Sequence, residues 1–146
     1  IVCMLDGIRQ TKTKDLNEFY DRFDDEFPQA NKIVHAFETV IDLIGNITGD
    51  SLKTMEFHRQ PLFYSLFLAL YDTRFGLPDS KHWHGELSSA QVKGIARRLQ
   101  DFDLLLKSPT PPEELIPFIL ASSRSTADPG KRRLRHDYLC RHVLMG

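Results

Sequence analysis

Excess charge of either sign is absent from this chain: 19 Lys and Arg stand against 20 Asp and Glu, for a formal net charge of -1 over 146 residues. That excludes a protein that is basic overall, so any nucleic-acid surface has to be local. Cysteine is scarce. Cys3 and Cys140 sit near opposite ends and form neither a disulfide framework nor a paired-cysteine zinc pattern; they read as reduced thiols of a cytoplasmic protein. Long apolar runs are missing too, since the longest, Pro61 to Tyr71, is too short to cross a bilayer. There is no Gly-rich phosphate loop and no Ser/His/Asp arrangement. No segment alternates as a strand would, and no internal repeat occurs. The opening IVCML lacks the basic lead and cleavage site of a signal peptide. A start without Met, inside a hydrophobic run, reads as a piece cut from a longer protein.

What is present is helical periodicity. Leu16, Phe19, Tyr20, Phe23 and Phe27 fall on one face, with acidic residues opposite, and Pro28 closes the helix. Ile33, Phe37, Val40, Ile41 and Ile44 repeat the pattern, and Gly45 with Asn46 supplies a stop. Glu56 to Phe75 is apolar all round its middle, which predicts a central buried helix with Pro61 in its first turn. On that helix Phe63, Leu66, Phe67 and Leu70 are expected to meet both the Phe19/Phe23 face and the Ile33/Phe37 face. A long loop, GLPDSKHWHGELSS, leads to a helix over Ser89 to Leu106 carrying Val92, Ile95, Leu99, Phe102 and Leu106. TPPEEL starts another, with Thr110 as cap, Glu113 reaching back and Pro117 placed to kink it. STADPG breaks the chain before a last basic helix. The expectation is an all-α fold, one compact bundle of about six helices spanning residues 1–146.

Three runs, LNEFYDRFDDEFP, HAFETVIDLIG and EFHRQPLFYSLFLALYDTRFGLP, together with the closing STADPGKRRLRHDYLCRHVL, resemble the helical region of GmrSD-type (DUF 262) proteins. These are bacterial anti-phage and modified-DNA restriction proteins. The resemblance spans nearly the whole chain and rests on apolar patterning and aromatic placement. It implies a helical accessory or regulatory domain beside a ParB-like core that binds and hydrolyses nucleotide, and that core of the same protein is the expected partner. The family signature is Asp-Gly-Gln-Arg. Here DGIR, Asp6 to Arg9, departs from it at Ile8, where an alkyl group replaces the amide that would bond a phosphate or sugar edge. Gly7 is therefore read as ending a short first helix, with the catalytic core lying outside this sequence. No catalytic residue and no cofactor is assigned to the chain itself.

The charge that is present is segregated. Asp15, Glu18, Asp21, Asp24, Asp25 and Glu26 cluster early, while Arg124, Lys131, Arg132, Arg133, Arg135 and Arg141 cluster late. KRRLRHDYLCRH, Lys131 to His142, admits three readings. As a helix it sets Leu134, Tyr138 and Met145 on an inward stripe, leaving a solvated face or one paired with Asp21, Asp24 and Asp25. Alternatively Arg132, Arg133, Arg135 and Arg141, with His136, contact the phosphates of DNA. Thirdly, Arg135 and His142 have the Arg-x6-His spacing of HEPN-type ribonucleases, in which a histidine moves the ribose proton and an arginine steadies the phosphorane.

HWH, His82 to His84, has Asp79 and Glu86 nearby as oxygen donors, but a zinc site needs three or four converging ligands. The expectation is no metal, with Trp83 tucked onto the core and both imidazoles in water. His35 and His58 read as structural, and FHR, Phe57 to Arg59, as an anchor for the central helix.

Overall fold

A computed structural model describes residues 1–9, 12–23, 27–78 and 80–145. Seven α-helices follow one another among them: α1 (Val2–Asp6), α2 (Thr13–Phe23), α3 (Ala30–Thr48), α4 (Gln60–Phe75), α5 (Ser89–Leu106), α6 (Ile116–Ala121) and α7 (Pro129–Leu139). Short 3-10 turns cover Gly49–Thr54, Glu56–His58 and Glu113–Leu115, and a π-helical turn covers Cys140–Leu144. The fold is all-α, with no strand among the described residues.

The core is built around α4, which packs chiefly against α3 and α7. Pro61 stands in its first turn, where its missing N–H costs no hydrogen bond. Leu62, Leu66, Ala69 and Leu70 are sealed from solvent. The buried hydroxyls of Ser65 and Thr73 donate to the carbonyls of Pro61 (2.8 Å) and Ala69 (2.9 Å), so they enter the core satisfied. FHR anchors the entry to this helix as expected: Phe57 is fully buried, and Arg59 donates to the Ser122 carbonyl at 3.2 Å. Ser88 and Gln91 form a capping box at the start of α5, and Ile95, Leu99 and Phe102 face inward from it.

Five expectations need correction. Helix α3 runs through Gly45 to Thr48 and stops at Gly49, whose φ is +51°. Ile47, two residues past Gly45, is buried, and that burial outweighs the roughly 1 kcal/mol that a mid-helix glycine costs. Thr110 does not cap α6. The residue before a proline is pushed out of the helical region, so Pro111 and Pro112 delay the start to Glu113, and Pro117 lies in the first turn of α6 without kinking it.

Helix α2 buries none of its residues. Phe19, Phe23 and Phe27 pack ring against tilted ring with centres 4.9 and 4.6 Å apart, and the Arg22 guanidinium covers the first two. Only Phe27 of this ladder reaches the core, so Phe19 and Phe23 do not meet α4. Finally, α7 is rotated relative to its apolar stripe. Leu134 and Met145 are exposed; the inward face is Arg135, Leu139 and Val143 beside His136, Cys140 and Leu144.

Candidate functional site

Asp72 sits in the last turn of α4 with no solvent exposure, the single carboxylate of the helix, just after its apolar middle. Its Oδ1 accepts the Leu77 N–H at 2.7 Å and its Oδ2 accepts the Ser80 hydroxyl at 2.6 Å. The carboxylate thus catches the chain as it turns away through Gly76. The loop that follows is pinned back onto α4 by Gly85 N–H donating to the Thr73 carbonyl (2.8 Å) and by the Arg74–Glu86 ion pair (2.9 Å).

From α7, His136 points into the same spot. Its Nε2 lies 3.1 Å from Asp72 Oδ2, and its Nδ1 lies 3.1 Å from Asp137 Oδ1. Burial alone would push His136 down. The hydrogen bond to Asp72, then those to Cys140 and Asp137, more than offset it and raise the group to about 10. Burial pushes Asp72 up, but hydrogen bonds from His136, Ser80 and the Leu77 N–H hold it below the usual carboxylate range. Asp137 is held low in the same way by His136 and His82. With both ring nitrogens against carboxylates, His136 is an imidazolium.

Cys140, one helical turn after His136, places Sγ 3.7 Å from His136 Nε2. The His82 ring faces the His136 ring at 5.6 Å, with Nε2 3.4 Å from Asp137 Oδ1. Asp72, His82, His136 and Cys140 thus form a cluster of metal-ligating side chains. The expectation for HWH is overturned on two counts. Trp83 is 54% exposed, its ring lying over Gly85, and His82 is turned inward while His84 stays exposed. Of the oxygen donors expected there, Glu86 is spent on Arg74 and Asp79 lies outside the described residues.

A cavity of about 210 Å³ opens over this cluster. Lys81, His82, Arg133, His136, Asp137 and Arg141 line it, with Ile8, Leu77 and Pro78 as an apolar wall. Gly7 makes the wall possible: at φ +76° it ends α1, and a Cβ there would stand 3.1 Å from the Pro78 carbonyl oxygen.

Of the four arginines expected at phosphates, the structure brings Arg133 and Arg141 to one cavity, sets Arg132 half-exposed on another side, and buries Arg135. Arg132 lies over the Tyr64 ring at 4.9 Å. Arg135 is 1% exposed, and its whole fork is used internally: Nε donates to Ser65 Oγ (2.8 Å), and the two terminal nitrogens donate to the carbonyls of Ala121 (2.6 Å) and Thr126 (2.9 Å). Burial and then the neighbouring Arg132 push its pKa down, yet a guanidinium stays charged. Arg135 is therefore corrected from a surface contact to a core tie. Nor does it converge with His142, which is exposed and stacks on Tyr138 at 4.2 Å. His58 takes the structural role expected of it, with Nδ1 2.6 Å from the Met55 carbonyl.

Sequence reasoning missed Asp72 and Cys140 altogether. Two signals were there to read: one carboxylate within PLFYSLFLALYD, and a His-x3-Cys pair on one face of a helix. No protein-family model, curated protein or solved structure matches this chain.

Proposed function

We propose that this chain is a helical accessory domain of a larger GmrSD-like bacterial defence protein, resting against DNA backbone through a local basic rim. The observation that carries the DNA contact is the convergence of Lys81, Arg133 and Arg141 around one cavity. In a chain of net charge -1, three cations gathered at one concavity are a local concentration rather than an average. Asp137, the carboxylate at the same cavity, already faces His136 and His82, so it does little to cancel the rim. Among the described residues, neither Arg133 nor Arg141 has a carboxylate partner. The nucleotide-binding core of the same protein is the expected partner, and nucleotide hydrolysis belongs to that core.

Phosphate contacts position a duplex without reading it, so binding should show little sequence preference. Each neutralised phosphate adds about -0.9 to the log-log salt slope, so three contacts predict a loss of roughly 40-fold between 50 and 200 mM salt. Titrating a labelled duplex against the parent and Arg133→Ala/Arg141→Ala tests this. The double variant should lose about two-thirds of the slope. Equal binding by the two proteins would overturn the reading.

A further inference from the structure

The buried cluster beneath the cavity has the composition and shape of a metal site. One ligand atom each from Asp72, His82, His136 and Cys140 lies within 4.8 Å of every other. Asp72, His136 and Cys140 are 0%, 4% and 0% exposed. The four residues come from α4, the loop after it, α7 and the π-helical turn, so their meeting is made by the tertiary fold and not by one helix.

An Asp72–His136 hydrogen bond needs neither a thiol nor a second imidazole beside it, yet both are there. The edges already formed are 3.1 Å from Asp72 Oδ2 to His136 Nε2 and 3.7 Å from that nitrogen to Cys140 Sγ. A tetrahedron with zinc–nitrogen and zinc–oxygen bonds of about 2.1 Å and a zinc–sulfur bond of about 2.3 Å has edges of about 3.4 to 3.6 Å. The outer groups fit as well. Asp137 holds Nδ1 of His136, leaving Nε2 to face the centre, and the Leu77 N–H and Ser80 hydroxyl orient the Asp72 carboxylate.

We propose that this protein binds one Zn²⁺ through Asp72 Oδ2, a ring nitrogen of His82, His136 Nε2 and Cys140 Sγ. A thiolate with two imidazoles selects a borderline transition metal over Mg²⁺ or Ca²⁺. Four protein ligands fill the tetrahedron, so the ion is structural and leaves no position for a substrate water. Its effect is to clamp the loop bearing Lys81 and His82 onto α4 and α7. Coordination takes a neutral His136 Nε2 and a Cys140 thiolate, and the protons these groups carry in the metal-free protein pass to solvent.

The test uses untagged protein. Metal analysis after chelator-free purification should give one zinc per chain. Titrating the EDTA-stripped protein with Co²⁺ should give a 1:1 complex with tetrahedral visible bands and a thiolate-to-cobalt charge-transfer band. Cys140→Ser should abolish that band. His82→Ala, a change in the loop, should keep the helical circular dichroism and weaken Co²⁺ binding at least ten-fold. Asp137→Asn, which removes the carboxylate that orients His136 and faces His82 without touching the metal, should weaken it about ten- to a hundred-fold. Absence of a 1:1 complex in folded parent protein overturns the site, as does a charge-transfer band that survives Cys140→Ser. DNA binding is measured separately, so failure of the rim and failure of the metal site are distinguishable.

Discussion

Arg135 carries a permanent positive charge into the interior with no carboxylate partner among the described residues. What holds it is geometry: a planar fork whose three nitrogens reach α4, the end of α6 and the segment before α7. Arg135→Ala strands the Ala121 carbonyl and leaves a side-chain-sized void in the core, and should cost about 3 kcal/mol in urea denaturation. Arg135→Lys should rescue little, since an ammonium cannot span three divergent acceptors. His136 sets the pH response of the metal-free protein. Its folded pKa of about 10 lies above the ordinary 6.5, so its contribution is complete below about pH 6.5 and fades as pH rises through 10. Asp72 and Asp137 are shifted down, so theirs is present above about pH 4 and is lost in acid below that. The melting temperature of EDTA-treated protein should therefore be highest between about pH 4 and 6.5. The decline from pH 6.5 to 10 should be shallower in His136→Gln than in the parent.

Two glycines in α3 and at its end have opposite roles. Gly45 is exposed inside the helix, and an added methyl there would meet nothing within 4 Å, whereas Gly49 has a left-handed φ of +51°. Gly45→Ala should stabilise the protein by about 0.5–1 kcal/mol, and Gly49→Ala should destabilise it by about 1 kcal/mol, both readable from thermal melts. The sequence alone ranks these two the other way, because Gly45-Asn46 looks like a stop signal and the burial of Ile47 cannot be seen in advance. Two elements were legible: α4 from its all-round apolar middle and α5 from its apolar period lie where Leu66 and Leu99 put them. The face of α7 was not. Periodicity assigns the inward side to Leu134 and Met145, while the fold turns Arg135 and His136 inward because α4 offers Ser65 and Asp72 as partners. Hydropathy scores side chains singly. A partner some seventy positions away in the chain, such as Ser65 for Arg135, does not enter that score.

At the level of the whole molecule, the early acidic and late basic clusters do not neutralise each other through Asp21, which stays exposed and unpaired with α7 among the described residues; Asp24 and Asp25 lie outside them. The rim over the quartet keeps its charge, while α2 stands on its own aromatic ladder at the periphery. No helix among the described residues is long and apolar enough to cross a membrane. The loop between α4 and α5 also decides what an optical measurement reports. Trp83 is the one tryptophan in the chain and stands more than half exposed there, two residues from Gly85 and next to His82. Its fluorescence therefore describes the loop and not the core. Melting the helices leaves the indole almost as wet as before, so its emission colour should barely move while far-ultraviolet ellipticity collapses. Two probes that disagree are ordinarily taken to mean a populated intermediate. Here the disagreement comes from where the only tryptophan sits.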